Sequence, residues 1–127
     1  MPSPGATFQI VGCNNPDCFV LGVRVDYATS GVPSIARGRG IKSISDDGTG
    51  LFTITTYFNW IDIIGGGNLN RAAAASGITA EVVPAGTIPA QRKIQIRLTN
   101  ASGSAADPTT GDGIYLLFLL QCSGLPR

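Results

Sequence analysis

The chain has 127 residues, 43% hydrophobic and only 13% charged, a length that closes about one domain, and no second domain is expected. Nine Lys and Arg stand against eight Asp and Glu, and a net charge of +1 supplies no field to gather a polyanion, which disfavours nucleic-acid binding. There is no histidine, which removes the commonest triads and general bases.

An ordinary soluble domain is about a quarter charged. A chain this poor in charge is therefore expected to bury part of its surface against other chains. The first residues, MPSPGATFQIVG, show no basic stretch ahead of a long apolar run, so no secretory signal is read. No run of eighteen apolar residues occurs either, which excludes a helical membrane span, and a soluble chain folded in a cytosol is expected. Residues 1–7, with Pro2 and Pro4 and no core pattern, read as an N-terminal arm laid on another chain.

Residues 6–12 alternate loosely and read as a first short strand, and Asn14, Asn15, Pro16 and Asp17 make a turn. That turn lies between Cys13 and Cys18. A disulfide there requires the turn to bring the two within bridging geometry, and in a reducing compartment thiols are the default. A second strand, CFVLGVRVDY, places Phe19, Leu21, Val23, Val25 and Tyr27 on one face. ATSGVP at 28–33 is a loop, and residues 34–45 read as one arm of a hairpin, bent at Gly38 and Gly40.

The hairpin turns at DDGTG, where five residues suit a longer or bulged connection better than a two-residue one. Phe52, Ile54, Thr56 and Phe58 then fall on one side of the returning strand and Leu51, Thr53, Thr55 and Tyr57 on the other, the alternation of a half-buried strand. NWIDII at 59–64 is apolar but for Asp62, and three glycines at 65–67 are expected to end it. Between Asn70 and Ser76 the sequence permits a brief helical turn.

ITAEVV at 78–83 is a further strand, PAGTIPAQ a loop, and RKIQIRLT at 92–99 a strand with Ile94, Ile96 and Leu98 inward. After a long loop of small and polar residues, Ile114 to Leu120 is apolar on both faces. It should therefore be covered on both sides, centrally in a sandwich or by a neighbouring subunit. Seven or eight short strands predict an all-β, antiparallel β-sandwich, jelly-roll-like or barrel-like, formed by residues 1–127 as one domain.

Chemistry is hard to place on this pattern. Asp46 and Asp47 are adjacent in a turn, where Asp is a turn former, and Asp62 reads as a solvent-facing position or an arginine partner. GRGIKS at 38–43 fails the phosphate-loop pattern because Ile41 separates Gly40 from Lys42. Asp107 and Asp112 lack calcium-loop spacing and a distal Glu, and Asn100 begins a glycosylation triplet by letter only. Catalytic residues, cofactors and metal ligands are all read as none, and no enzyme is expected. Trp60 and Tyr57 are the only nearby aromatics for a carbohydrate-binding sandwich, and Trp60 reads as core.

Three pieces stand in one order: GRG at 38–40, GTGLFTIT at 48–55, and IQIR at 94–97 leading to AADP at 105–108 and a hydrophobic last strand. In that order they resemble small virion proteins of tailed bacteriophages, over about residues 20–124; CNNPDC is no part of the pattern. The resemblance implies a head decoration or capsid cement protein that binds the major capsid protein as a compact oligomer, often a homotrimer. It also implies location on the capsid surface of a virion assembled in the host cytoplasm, with no membrane and no nucleic acid as partner. A tail-fibre or receptor-binding module shares the implied fold. Expected partner contacts are Pro2 and Pro4 of the arm, the basic set Arg37, Arg39 and Lys42 against carboxylates of a capsid subunit, and Asp107, Pro108 and Asp112 of the long loop.

Overall fold

The computed structural model describes residues 18–122. The expected first strand at 6–12, the NNPD turn, Cys13, Pro2, Pro4 and the arm at 1–7 lie outside them. The described chain forms β1 (Cys18–Thr29), β2 (Val32–Gly38), β3 (Ile41–Gly48), β4 (Leu51–Thr56), β5 (Asp62–Arg71), β6 (Thr79–Val82), β7 (Lys93–Thr99) and β8 (Gly113–Gln121). Two single 3-10 turns, Pro84–Gly86 and Pro89–Gln91, occupy the proline-punctuated link between β6 and β7. The strands make two four-stranded antiparallel sheets, a front sheet ordered β2-β1-β8-β5 and a back sheet ordered β3-β4-β7-β6. This is the expected all-β sandwich.

Period-two alternation builds its core. Leu21, Val23, Val25 and Tyr27 of β1 and Ile114, Leu116, Phe118 and Leu120 of β8 turn inward from the front sheet. Phe52 and Ile54 of β4 and Ile94, Ile96 and Leu98 of β7 meet them from the back. Each such side chain contributes about 1.5–3 kcal/mol on leaving water. Phe19, expected on the same buried face, remains 38% exposed at the sandwich end, where its ring lies 4.6 Å from that of Phe58.

Several local expectations are corrected. The stretch 34–45 is two strands in different sheets, since β2 pairs with β1 and β3 with β4. The chain changes sheet at Arg39 and Gly40. Gly40 has φ +82°, and a Cβ there would lie 2.9 Å from the Phe58 ring, so the corner requires glycine. Strand β2 already begins at Val32, inside the expected loop. The β3–β4 connection is a two-residue link, Thr49 and Gly50, with a register irregularity between Asp46 and Gly48, so of the longer or bulged turn expected the chain has the bulge and not the length.

The three glycines do not end a strand. They lie within β5, where Gly65, Gly66 and Gly67 stand opposite Leu119, Phe118 and Leu117 of β8. Pairing with a central strand supplies the order their own propensity lacks. No helical turn follows, because Asn70 and Arg71 still belong to β5 and residues 72–78 contain only bends and irregular chain. Strand β8 is central, between β1 and β5, as one of the two alternatives required. Its outer face is nevertheless uncovered in the single chain, with Leu117 52% and Tyr115 40% exposed.

Candidate functional site

The two outer faces of the sandwich differ in chemistry. On the back sheet, Asp47 accepts hydrogen bonds from Thr53 Oγ1, from Gln95 Nε2 at 3.1 Å and from Ser45 Oγ at 3.2 Å, while Arg97 Nη1 meets Glu81 Oε1 at 3.1 Å. Burial raises the Asp47 pKa, but these donors and the charge of Lys93 outweigh it and hold the carboxyl below its ordinary value. On that face these polar groups satisfy one another.

The front face is apolar at its centre. Antiparallel register places Leu117 between Gly22 of β1 and Gly67 of β5, and Tyr115 between Arg24 and Leu69. Because the glycines carry no side chains, bare backbone flanks Leu117 on both sides. The result is an open groove of about 910 Å³ running from Arg37 and Arg39 to Leu69. Leu69 is 71% exposed. A contiguous apolar surface of this kind is uncommon on the exterior of a folded protein.

The charges beside the groove are arranged unequally. Arg24 donates from Nε to Asp26 Oδ1 at 3.0 Å and from Nη2 to Asp26 Oδ2 at 3.1 Å, and Arg71 Nη1 lies 4.0 Å from the same carboxylate. Asp26 is thereby committed. Arg37 and Arg39 line the groove and form no ion pair among the described residues.

A second opening of about 280 Å³ separates β5 from β6, over Ile96, Leu116 and Phe118. Above it Asn70 Nδ2 donates to the Ile78 carbonyl at 2.8 Å, and Asn68 Oδ1 accepts from the Ala80 amide at 3.5 Å. At the next inward position of β5 stands Gly66, which has no side chain to continue the staple. The slot is large enough for one apolar side chain.

Of the contacts expected from sequence, the structure brings together Arg37 and Arg39. Lys42 is exposed on β3, in the other sheet. Asp107 Oδ1 accepts from the Gly50 amide at 2.7 Å, Pro108 is buried, and the Asp112 carboxylate accepts from the Ala73 amide at 3.2 Å, so these three hold the long loop to its own fold. Asp62 is exposed and accepts from the Ile63 amide, in line with its solvent-facing reading. Trp60 is 2% exposed and Tyr57 67%, so these two do not present an exposed aromatic pair. Cys18 is a half-buried thiol. No group of three or more Cys, Asp or Glu that could hold a metal exists among the described residues, and no described helix is long and apolar enough to cross a membrane.

Sequence reasoning missed Leu69, Gly22 and Gly67 as parts of this surface. The available signal was the doubly apolar run of β8, which announced a face needing cover. No family model, no curated protein and no solved structure matches the chain.

Proposed function

We propose that this chain is a structural protein of a virion, a capsid decoration or cement protein that attaches through the outer face of its front sheet. The observation that carries the reading is the groove around Leu117, apolar and uncovered, with Arg37 and Arg39 beside it and in no ion pair among the described residues. The low charge content and a motif order that resembles that of small tailed-bacteriophage virion proteins support it. In this reading the partner is the major capsid protein, bound on the outside of the shell where subunits meet. A homotrimer presents three copies of one modest contact, and linkage among them raises avidity without any single strong interaction.

The test is addition of purified protein to shells that lack it. Saturable binding and greater resistance of the shells to heat are expected. Leu117→Asp should abolish binding while the far-ultraviolet circular dichroism stays that of the parent. Absence of binding overturns the reading, and immunogold label confined to the tail tip would assign the chain to a fibre or receptor-binding module instead.

A further inference from the structure

We propose that the front-sheet groove receives an extended acidic and aliphatic segment of its protein partner, with carboxylates on Arg37 and Arg39 and an aliphatic side chain beside Leu117. The inference rests on the reading of this face as the attachment surface and adds the chemistry of what attaches. Covering the groove removes water from two guanidinium groups, and a buried unpaired charge is costly. The occupant must therefore bring anions. The carboxylate closest in register, Asp26, is held by Arg24 with Arg71 nearby, so among the described residues it is not available to Arg37 and Arg39. A second copy laid face to face would bring the same two arginines and the same committed aspartate, which makes it a poor occupant.

Spacing narrows the segment further. Arg37 is on β2 and Leu117 on β8, with β1 between them, so the two positions are separated by two strand spacings, about 10 Å. An extended chain crossing the strands covers that distance in about three residues. Gly22 and Gly67 allow its backbone to approach the sheet closely on either side of Leu117. The recognised pattern is thus a carboxylate about three residues from a Leu, Ile or Val.

Two fluorescein-labelled peptides test this by anisotropy with the full chain: one with paired aspartates three residues from a leucine, the other with lysines in place of the aspartates. The acidic peptide should bind at least about tenfold more tightly, and added salt should weaken it. Arg37→Glu with Arg39→Glu should reverse the preference toward the lysine peptide, and Leu117→Asp should abolish binding of the acidic one. Equal affinity for the two peptides, or a preference unmoved by the double charge reversal, overturns the proposal. So does sedimentation showing self-association that Leu117→Asp dissolves, since the occupant would then be a second copy. Shells that still bind the double charge-reversed chain refute the acidic partner and leave the decoration reading standing. Shells that do not bind the parent chain refute that reading and leave the peptide preference to be judged separately.

Discussion

The backbone amide of Gly50 donates to Asp107 Oδ1 at 2.7 Å, fastening the β3–β4 turn to the loop that precedes β8. The two residues are far apart in sequence, and this contact is one of those that hold the long loop in place. The Gly50 carbonyl accepts from the Leu98 amide at 2.7 Å on the same side, so the turn is bound to both the loop and β7.

Asp107→Ala leaves the Gly50 amide without its acceptor in a buried position and should cost about 1–3 kcal/mol. Asp107→Asn retains an acceptor oxygen and should cost less. Gly50→Ala should cost more than about 2 kcal/mol, because φ is +65° and the added Cβ would lie 2.5 Å from the Leu98 carbonyl oxygen and 2.8 Å from the Ala106 nitrogen. Urea midpoints order the three variants. Equal stability of Gly50→Ala and the parent would show the turn to be free of this constraint.

The glycine run in β5 separates into one required and two permissive positions. A Cβ on Gly66, at φ +156°, would collide with the Leu117 carbonyl, whereas Gly65 and Gly67 face open space. Gly66→Ala should therefore lower the urea midpoint by the equivalent of about 1–3 kcal/mol, with Gly65→Ala and Gly67→Ala within about 0.5 kcal/mol of the parent. The same geometry explains why the sequence misleads here. Glycine has no side chain with which to show alternation, and the order of this strand comes from β8, across the ladder.

Elsewhere the fold was legible because the side chains carry the pattern. Ile94, Ile96 and Leu98 alternate with Lys93, Gln95 and Arg97, and the buried face of β7 follows directly. The split of residues 34–45 into two sheets was not legible, since a bend at glycine looks alike whether the chain stays in its sheet or leaves it. For the site, Arg37 and Arg39 were readable as charges in want of partners. The groove was not, because Gly22 and Gly67 become neighbours of Leu117 only through pairing between distant strands.

Acid should weaken the back sheet through Asp47. Its folded pKa is depressed by the hydroxyl and amide donors that outweigh its desolvation, so the unfolded chain takes up the proton first as pH falls. The stabilisation is present above the unfolded value, about 3.9, and is lost as pH drops from there through the folded pKa. The group is exposed, and solvent screening keeps the effect small. The difference in urea midpoint between pH 7 and pH 2.5 should be smaller in Asp47→Asn than in the parent. An identical difference would remove Asp47 from the acid response.

Alkali acts on the opposite sheet, through Tyr27. Its side chain is buried, and desolvation, reinforced by the negative charges of Asp107 and Asp46, pushes its pKa well above the ordinary tyrosine value. The folded state therefore keeps a proton that the unfolded state releases near pH 10, and stability declines as pH rises past that point. Tyr27→Phe has no ionisable hydroxyl, so its urea midpoint should fall less between pH 9 and pH 11 than that of the parent. A parallel fall in both would place the alkaline sensitivity elsewhere in the chain.

Trp60 offers the sharpest separation of packing from recognition. The indole is buried at the end of the core, and truncation to Ala should cost about 3–5 kcal/mol through the cavity it leaves. As the only tryptophan, it should emit at short wavelength in the native chain and shift red on unfolding. A carbohydrate site at this residue predicts the reverse behaviour: an exposed, red-shifted emission quenched by glycan, with Trp60→Ala as stable as the parent. Fluorescence and a urea titration of that one variant decide between the two. Glycan quenching with unchanged stability would restore the sugar-binding reading and remove Trp60 from the core.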